Sequence, residues 1–121
     1  MPMKLILPIP PSANRLVRYD KVRGRVDTQR YMTWKNAAGW ELQAQARGIG
    51  FNSPVSIAIG LSEKSRLDLD NCIKPTIDLL VKHRVIPDDR KAFVRSVTVN
   101  WQSEDDKLHV TVEPIEQQEA A

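Results

Sequence analysis

Residues 55–61, VSIAIGL, alternate large and small side chains without a break: Val55, Ile57, Ile59 and Leu61 against Ser56, Ala58 and Gly60. A period of two predicts a strand with one buried face, and such a strand needs a second layer to cover it. The chain supplies that cover. Residues 71–83 carry Ile73, Ile77, Leu80 and Val81 at helical spacing, an apolar stripe that can lie on a sheet. A further helix is predicted over 33–47, opened by Thr33 as a cap and closed by Gly48 and Gly50; Gly39 weakens its middle. KLIL (4–7) reads as a short strand stopped by Pro8, Pro10 and Pro11. SVTVNW (96–101) and LHVTVE (108–113) alternate again, Val97, Val99 and Trp101 facing one way, as do Leu108, Val110 and Val112. The turn SEDDK between them predicts an antiparallel pair.

The resulting order is β, basic loop, α, β, α, β, β. It predicts an α+β fold: a small mixed or antiparallel sheet with two helices packed on one face, in a single domain over 1–121. A chain of 121 residues can bury one core but not two. No apolar run approaches the roughly 20 residues of a membrane span, and MPMKLILPIPP is too short in its apolar stretch and too rich in proline for a signal peptide. The segment 114–121 is polar and expected to fray. A lone cysteine, Cys72, excludes an internal disulfide and suits a reducing cytoplasm. With only His83 and His109 beside it, zinc would lack ligands.

The net charge of +3 conceals two halves of opposite sign. Residues 1–50 hold nine basic and three acidic side chains (+6), residues 51–121 nine basic and twelve acidic (−3). Much of the excess lies in the basic loop 15–30, with Arg15, Arg18, Lys21, Arg23, Arg25 and Arg30. Gly24 can turn a hairpin there, or the segment orders only on a ligand. Such a loop is either an ordinary solvated surface or a seat for a polyanion.

The acids of the second half are grouped. In RLDLDNCIKPTIDLL (66–80), Asp68 and Asp70 alternate with Leu67 and Leu69, so an extended backbone points both carboxylates one way and both leucines the other. Asp70 or Asn71 could cap helix 71–83, with Pro75 tolerable in its first turn. That accounts for one aspartate and leaves the other beside it without a reason, since close like charges are unfavourable unless a cation lies between them. Lys74, one turn after Asp70, can reach back toward the doublet. A second pair, Asp88 and Asp89, follows Pro87 and could add a hard-oxygen ligand; spacing leaves its position open.

PIPPSANR (8–15), the basic loop, DLDNCIK (68–74) and PDD (87–89) together resemble the RusA-type Holliday junction resolvases, small dimeric endonucleases that cut four-way DNA junctions. The resemblance runs nearly the whole length. It implies a crossover junction endodeoxyribonuclease that acts in recombination and repair, cytoplasmic and nucleoid-associated, of bacterial or phage origin. It implies Asp68, Asp70 and Asp89 as catalytic residues and ligands of Mg2+, with Mn2+ able to substitute, and Lys74 as a catalytic lysine. Arg15, Arg18, Lys21, Arg23, Arg25, Lys64 and Arg66 are then expected to bind junction DNA, and a homodimer to make two matching cuts. Trp34, Trp40 or Trp101 could lie in its interface or in the core. Two other readings are a nuclease of the same fold acting on other branched DNA, and a non-catalytic basic DNA-binding module.

Overall fold

The computed structural model describes residues 2–12 and 16–115; Arg15 and residues 116–121 lie outside the described residues. The elements run β1 (Met3–Leu7), β2 (Val17–Asp20), β3 (Gly24–Asp27), α1 (Gln29–Ala46), β4 (Val55–Ser62), a 3-10 turn (Leu69–Cys72), α2 (Ile73–Lys82), β5 (Val94–Gln102) and β6 (Leu108–Pro114). The main sheet is mixed, ordered β1-β6-β4-β5, and β2 and β3 form a separate two-stranded hairpin. The α+β class, mixed sheet and two helices agree with the expectation.

β4 is central. Its odd-numbered side chains Val55, Ile57, Ile59 and Leu61 are buried, as the alternation requires. On one side it pairs antiparallel with β6, Ile57 opposite Val112 and Leu61 opposite Leu108; on the other it pairs parallel with β5, Ile57 beside Val97 and Leu61 beside Trp101. The expected hairpin of residues 96–101 with 108–113 therefore does not form: β4 lies between the two strands. The connecting residues 103–107 cross the Leu61 end of β4 instead. Gln102 anchors them, its side chain donating to Lys107 O (2.9 Å) and accepting from Glu104 N (2.8 Å). Asp105 accepts from Lys107 N (2.9 Å) and contacts His109 Nε2 (2.9 Å). Alternation reports which face of a strand is buried, not which strand lies beside it, and turn residues serve a crossing loop as well as a hairpin.

The helices cover one face of the sheet. Leu42 and Ala46 of α1 and Leu79 and Leu80 of α2 join the β4 and β6 side chains in one core. α1 begins earlier than expected: Thr28, not Thr33, is its cap, accepting a hydrogen bond from Tyr31 N (3.2 Å). It ends where expected, with Arg47 and Gly48 at positive φ. Trp34 belongs to the core and donates through Nε1 to Pro8 O (2.8 Å), whereas Trp40 and Trp101 are exposed. The expected hairpin within the basic loop is present. Gly24 takes positive φ (76°), and Asp20 Oδ1 accepts from Val22 N (2.8 Å) and Arg23 N (3.0 Å). Those two backbone donors hold the Asp20 carboxyl below its usual range. Pro114 closes β6, and Ile115 N donates to Pro54 O (2.9 Å), so the chain is tied down to that point.

Gly39 explains how α1 and α2 meet. A Cβ there would stand 2.7 Å from Nε2 of His83, whose Nδ1 contacts Gln43 (3.1 Å). Alanine in a helix interior normally stabilises by up to about 1 kcal/mol over glycine; here Gly39→Ala should lower the thermal midpoint, and in a His83→Ala background the same change should raise it. Burial, and then the Lys82 charge, lowers the His83 pKa, so the unfolded chain takes up this proton more readily than the folded one. His83 should therefore subtract stability as pH falls below the unfolded value of about 6.5, and His83→Gln should flatten that slope in a pH series of denaturant melts.

Candidate active site at the Leu61 end of the sheet

The chain leaving β4 is turned by short-range bonds. Glu63 N donates to Gln102 O (2.9 Å), Ser65 N to Ser62 O (3.0 Å), and Leu67 N to Ser65 Oγ (3.0 Å). Beyond them Leu67 is buried and Leu69 half-buried, while Asp68 and Asp70 are exposed, the alternation expected of the doublet. The capping role does not materialise. A 3-10 turn intervenes, so α2 begins at Ile73. Asp68 sits at the cap position of that turn without a side-chain cap bond, and the cap position of α2 is Cys72, again without one. Among the described residues, neither Asp68 nor Asp70 pairs with a basic side chain. Cys72 is buried, its thiol 3.0 Å from Leu69 O; burial, with the Asp70 charge adding to it, pushes its pKa up to about 11. That thiol is no nucleophile.

Lys74 does not reach back to the doublet. Its Nζ lies 3.5 Å from Asp78 Oδ2, one turn further on. The 3-10 turn removes the i,i+4 relation that would bring Asp70 under it. Lys74 and Asp78 border a cleft of about 460 Å³ closed by Arg25 and Asp27 of the hairpin and Tyr31 of α1. Arg18, Lys21, Arg23 and Arg25 are all exposed on the hairpin, and Lys64 and Arg66 on the turn after β4. A second cleft, between Pro10, Pro11 and Ser12 and the Ser65–Leu67 turn, has Arg30 and Arg66 in its wall. Arg30 and Asp78 were not singled out as site residues from sequence. The i,i+4 spacing of Lys74 and Asp78 was the available signal; that Arg30 opens a helix beside Arg66 follows only from the tertiary fold.

Asp89 is elsewhere. α2 runs about 15 Å from the Leu61 end back to the Val55 end. There Val85 N and Ile86 N return to Leu80 O (2.9 and 3.4 Å), Phe51 N donates to Val85 O, and Val55 N to Phe93 O (2.7 Å). Asp88 and Asp89 sit in this loop ahead of β5. Asp88 is locally engaged, accepting from Asp89 N (2.7 Å) and pairing with Arg90 (2.8 Å); the Asp89 side chain is exposed. Within one chain, then, Asp68, Asp70, Lys74 and the basic hairpin gather at one end of the sheet and Asp89 at the other. Among the described residues no three His, Cys, Asp or Glu side chains converge as a metal-binding group.

Unpartnered carboxylates set beside an arginine-rich hairpin and a lysine make the layout of a protein that handles a phosphodiester backbone. Comparison with known proteins makes the class specific. Residues 8–113 match the family Endodeoxyribonuclease RusA, and the chain belongs to that family of DNA-cleaving enzymes. It is 34% identical over 90 residues to a crossover junction endodeoxyribonuclease RusA of Aquifex aeolicus, a stretch covering 72% of this chain and 69% of that one. No helix is long and apolar enough to cross a membrane among the described residues.

Because among the described residues neither aspartate makes a side-chain cap bond or an ion pair, Asp68→Ala and Asp70→Ala should each move the unfolding free energy by less than about 0.5 kcal/mol in chelator. A denaturant melt in EDTA measures this. A loss near 1 kcal/mol would restore the capping role.

Proposed function

We propose that this endonuclease resolves four-way DNA junctions by paired, symmetric nicks during recombination and repair, as a homodimer that depends on magnesium, with manganese able to substitute. The observation that carries this reading is the exposed Asp68–Asp70 doublet, unused by the fold and flanked by basic groups. Its hard, unpartnered oxygens fit a divalent cation. Asp68 and Asp70 would hold the ion, with Asp89, which lies at the other end of the sheet within one chain, able to join them only from the partner protomer of the homodimer; the ion's chemistry is to neutralise phosphate oxygens and acidify a water.

The chain's own groups do the rest. Arg18, Lys21, Arg23 and Arg25, with Arg15, Lys64 and Arg66, grip backbone phosphates and fix the register of the junction without reading bases. Arg30 joins Arg66 in the same role. Lys74 places its ammonium where charge grows on the scissile phosphate, and Asp78 limits the directions it can take. A junction offers two equivalent strands, which a two-fold dimer meets with two equivalent sites.

The decisive measurement is nicking of a synthetic four-way junction with and without magnesium, beside linear and flapped duplexes. Junction-selective, magnesium-dependent nicks at matched positions are expected. Equal cutting of flaps would favour the broader branched-DNA nuclease, and tight binding without cleavage the non-catalytic module. Asp70→Asn should bind the junction normally and cut at least about 100-fold more slowly. Junction affinity should fall steeply with salt, by about 0.9 log units per log unit for each neutralised phosphate. Arg23→Ala with Arg25→Ala should flatten that dependence, and an unchanged slope would take the hairpin out of the binding surface.

A further inference from the structure

Two arginines are held where the backbone favours glycine. Arg47 closes α1 at φ 54°, and Arg84 follows the end of α2 at φ 60°; among the described residues no other residue except glycine takes positive φ. A Cβ strains that conformation, and glycine is its ordinary occupant at the end of a helix. The helix dipole does not require such a placement. It favours a cation anywhere in the last turn, where the backbone is right-handed, and Lys82 already stands there in α2. Strain kept without a structural return points to a use for the two side chains.

The two turns lie side by side. Phe51 N donates to Val85 O (2.8 Å), and a Cβ on Gly50 would collide with Arg84 O. Arg47, Lys82 and Arg84 are exposed, and among the described residues none of them has a carboxylate partner. A hollow between α1 and α2 leads up to them, from Lys35 and Asn36 past Trp40 and Gln43 to Lys82 and His83. Among the described residues its wall contains no acid. Its volume of about 110 Å³ falls short of the roughly 300 Å³ that a small ligand needs, so it is a shelf along the surface rather than a pocket. Trp40 stands on this shelf at 74% exposure, against 45% for Trp101 and 6% for Trp34. At its near end Lys35 is paired with Asp27, the last residue of β3, so the seam begins where the basic hairpin ends.

We propose that the α1–α2 seam is a second DNA-binding surface, which takes the backbone of a junction arm beyond the branch point: Arg47, Lys82 and Arg84 meet phosphates, and Trp40 lies against the sugars. The proposal rests on the junction reading for the arm and on the seam for its geometry. Unpaired cations beside an exposed aromatic ring suit a nucleic-acid backbone, whose phosphates take the charge and whose sugars take the ring. An acidic protein would also satisfy the charge, but the seam continues from the hairpin that already faces DNA, and one long polyanion can occupy both. The spacing gives the proposal a length. The 18 residues of α1 span roughly 27 Å, the distance covered by about eight base pairs of B-form DNA. An arm shorter than that cannot reach from the hairpin to Arg47 and Arg84.

Binding in chelator, where cleavage plays no part, tests this on synthetic junctions with arms of about 20 and about five base pairs. Arg47→Gly with Arg84→Gly should bind the long-armed junction at least about 10-fold more weakly, with a salt slope lower by about 1.8, or 0.9 for each lost phosphate contact. It should bind the short-armed junction as the wild type does. The same variant should melt at or above the wild-type temperature, because glycine relieves both turns. Arg47→Lys with Arg84→Lys keeps the charges and should restore the slope. An equal loss on both junctions overturns the proposal, and so does no loss on either, which would leave an acidic protein as the partner. A glycine pair that melts lower also overturns it, since the arginines would then serve the fold. Fluorescence gives a readout on a chain with both arginines in place. In a Trp101→Phe background, with Trp34 buried, the emission should change on adding the long-armed junction and not the short-armed one. A signal indifferent to arm length refutes the seam even if the glycine pair fails to fold. A protein that binds long arms through the seam but never cuts a junction would sink the functional reading and leave this one standing.

Discussion

The burial of β4 between a parallel and an antiparallel neighbour is the constraint from which the rest follows. Val55, Ile57, Ile59 and Leu61 are at most 2% exposed, so the strand cannot slip by one residue without turning its whole apolar row out of the core. With β6 on one side and β5 on the other, the chain must leave β4 at the Leu61 end, cross the sheet through α2, and re-enter at the Val55 end. That crossover sets the doublet at one end and Asp89 at the other. The separation of the acidic residues is therefore a consequence of topology rather than of loop conformation.

Electrostatics at the doublet point the same way. Two carboxylates on one side of an extended stretch repel by an amount on the order of 1 kcal/mol at a protein surface. A fold usually relieves such repulsion with a cap bond or a basic neighbour. Here Lys74, one turn after Asp70, is paired with Asp78, and Asp88 holds Arg90. What remains to favour the charged pair is the amino end of α2, whose dipole adds a few tenths of a kcal/mol. A fold that turns Lys74 to Asp78 and leaves this pair open keeps it available for a cation and a phosphate.

Much of this was legible in the residues because it is local. Period-two alternation located β4, β5 and β6, glycine located the hairpin turn and the end of α1, proline the end of β1, and the Leu67–Asp70 alternation matches the exposure of both carboxylates. What was not legible is relational. The sequence of β5 reads as a half-buried strand, yet its neighbour is β4 and not β6, and its apolar row lies at an edge that the helices do not reach. Thr28 and Thr33 are equally good caps in isolation; Thr28 is used because its N–H also reaches Leu16 O (2.9 Å), a contact only the folded chain makes. Lys74 looked like a partner for Asp70 through helical spacing, and a 3-10 turn too short to leave a pattern cancelled it.

The asymmetry between the two sheet edges connects these observations. The β1 edge is closed by one side chain: Gln45 of α1 accepts from Ile6 N (2.7 Å) and donates to Ile6 O (2.8 Å). The β5 edge has no such cover among the described residues, and exposed strand edges with apolar side chains invite aggregation unless something specific covers them. β5 carries no proline, and its one charged side chain, Arg95, lies at its margin on the face of Val97, Val99 and Trp101, where a charge pointing along the apolar row works against indiscriminate pairing.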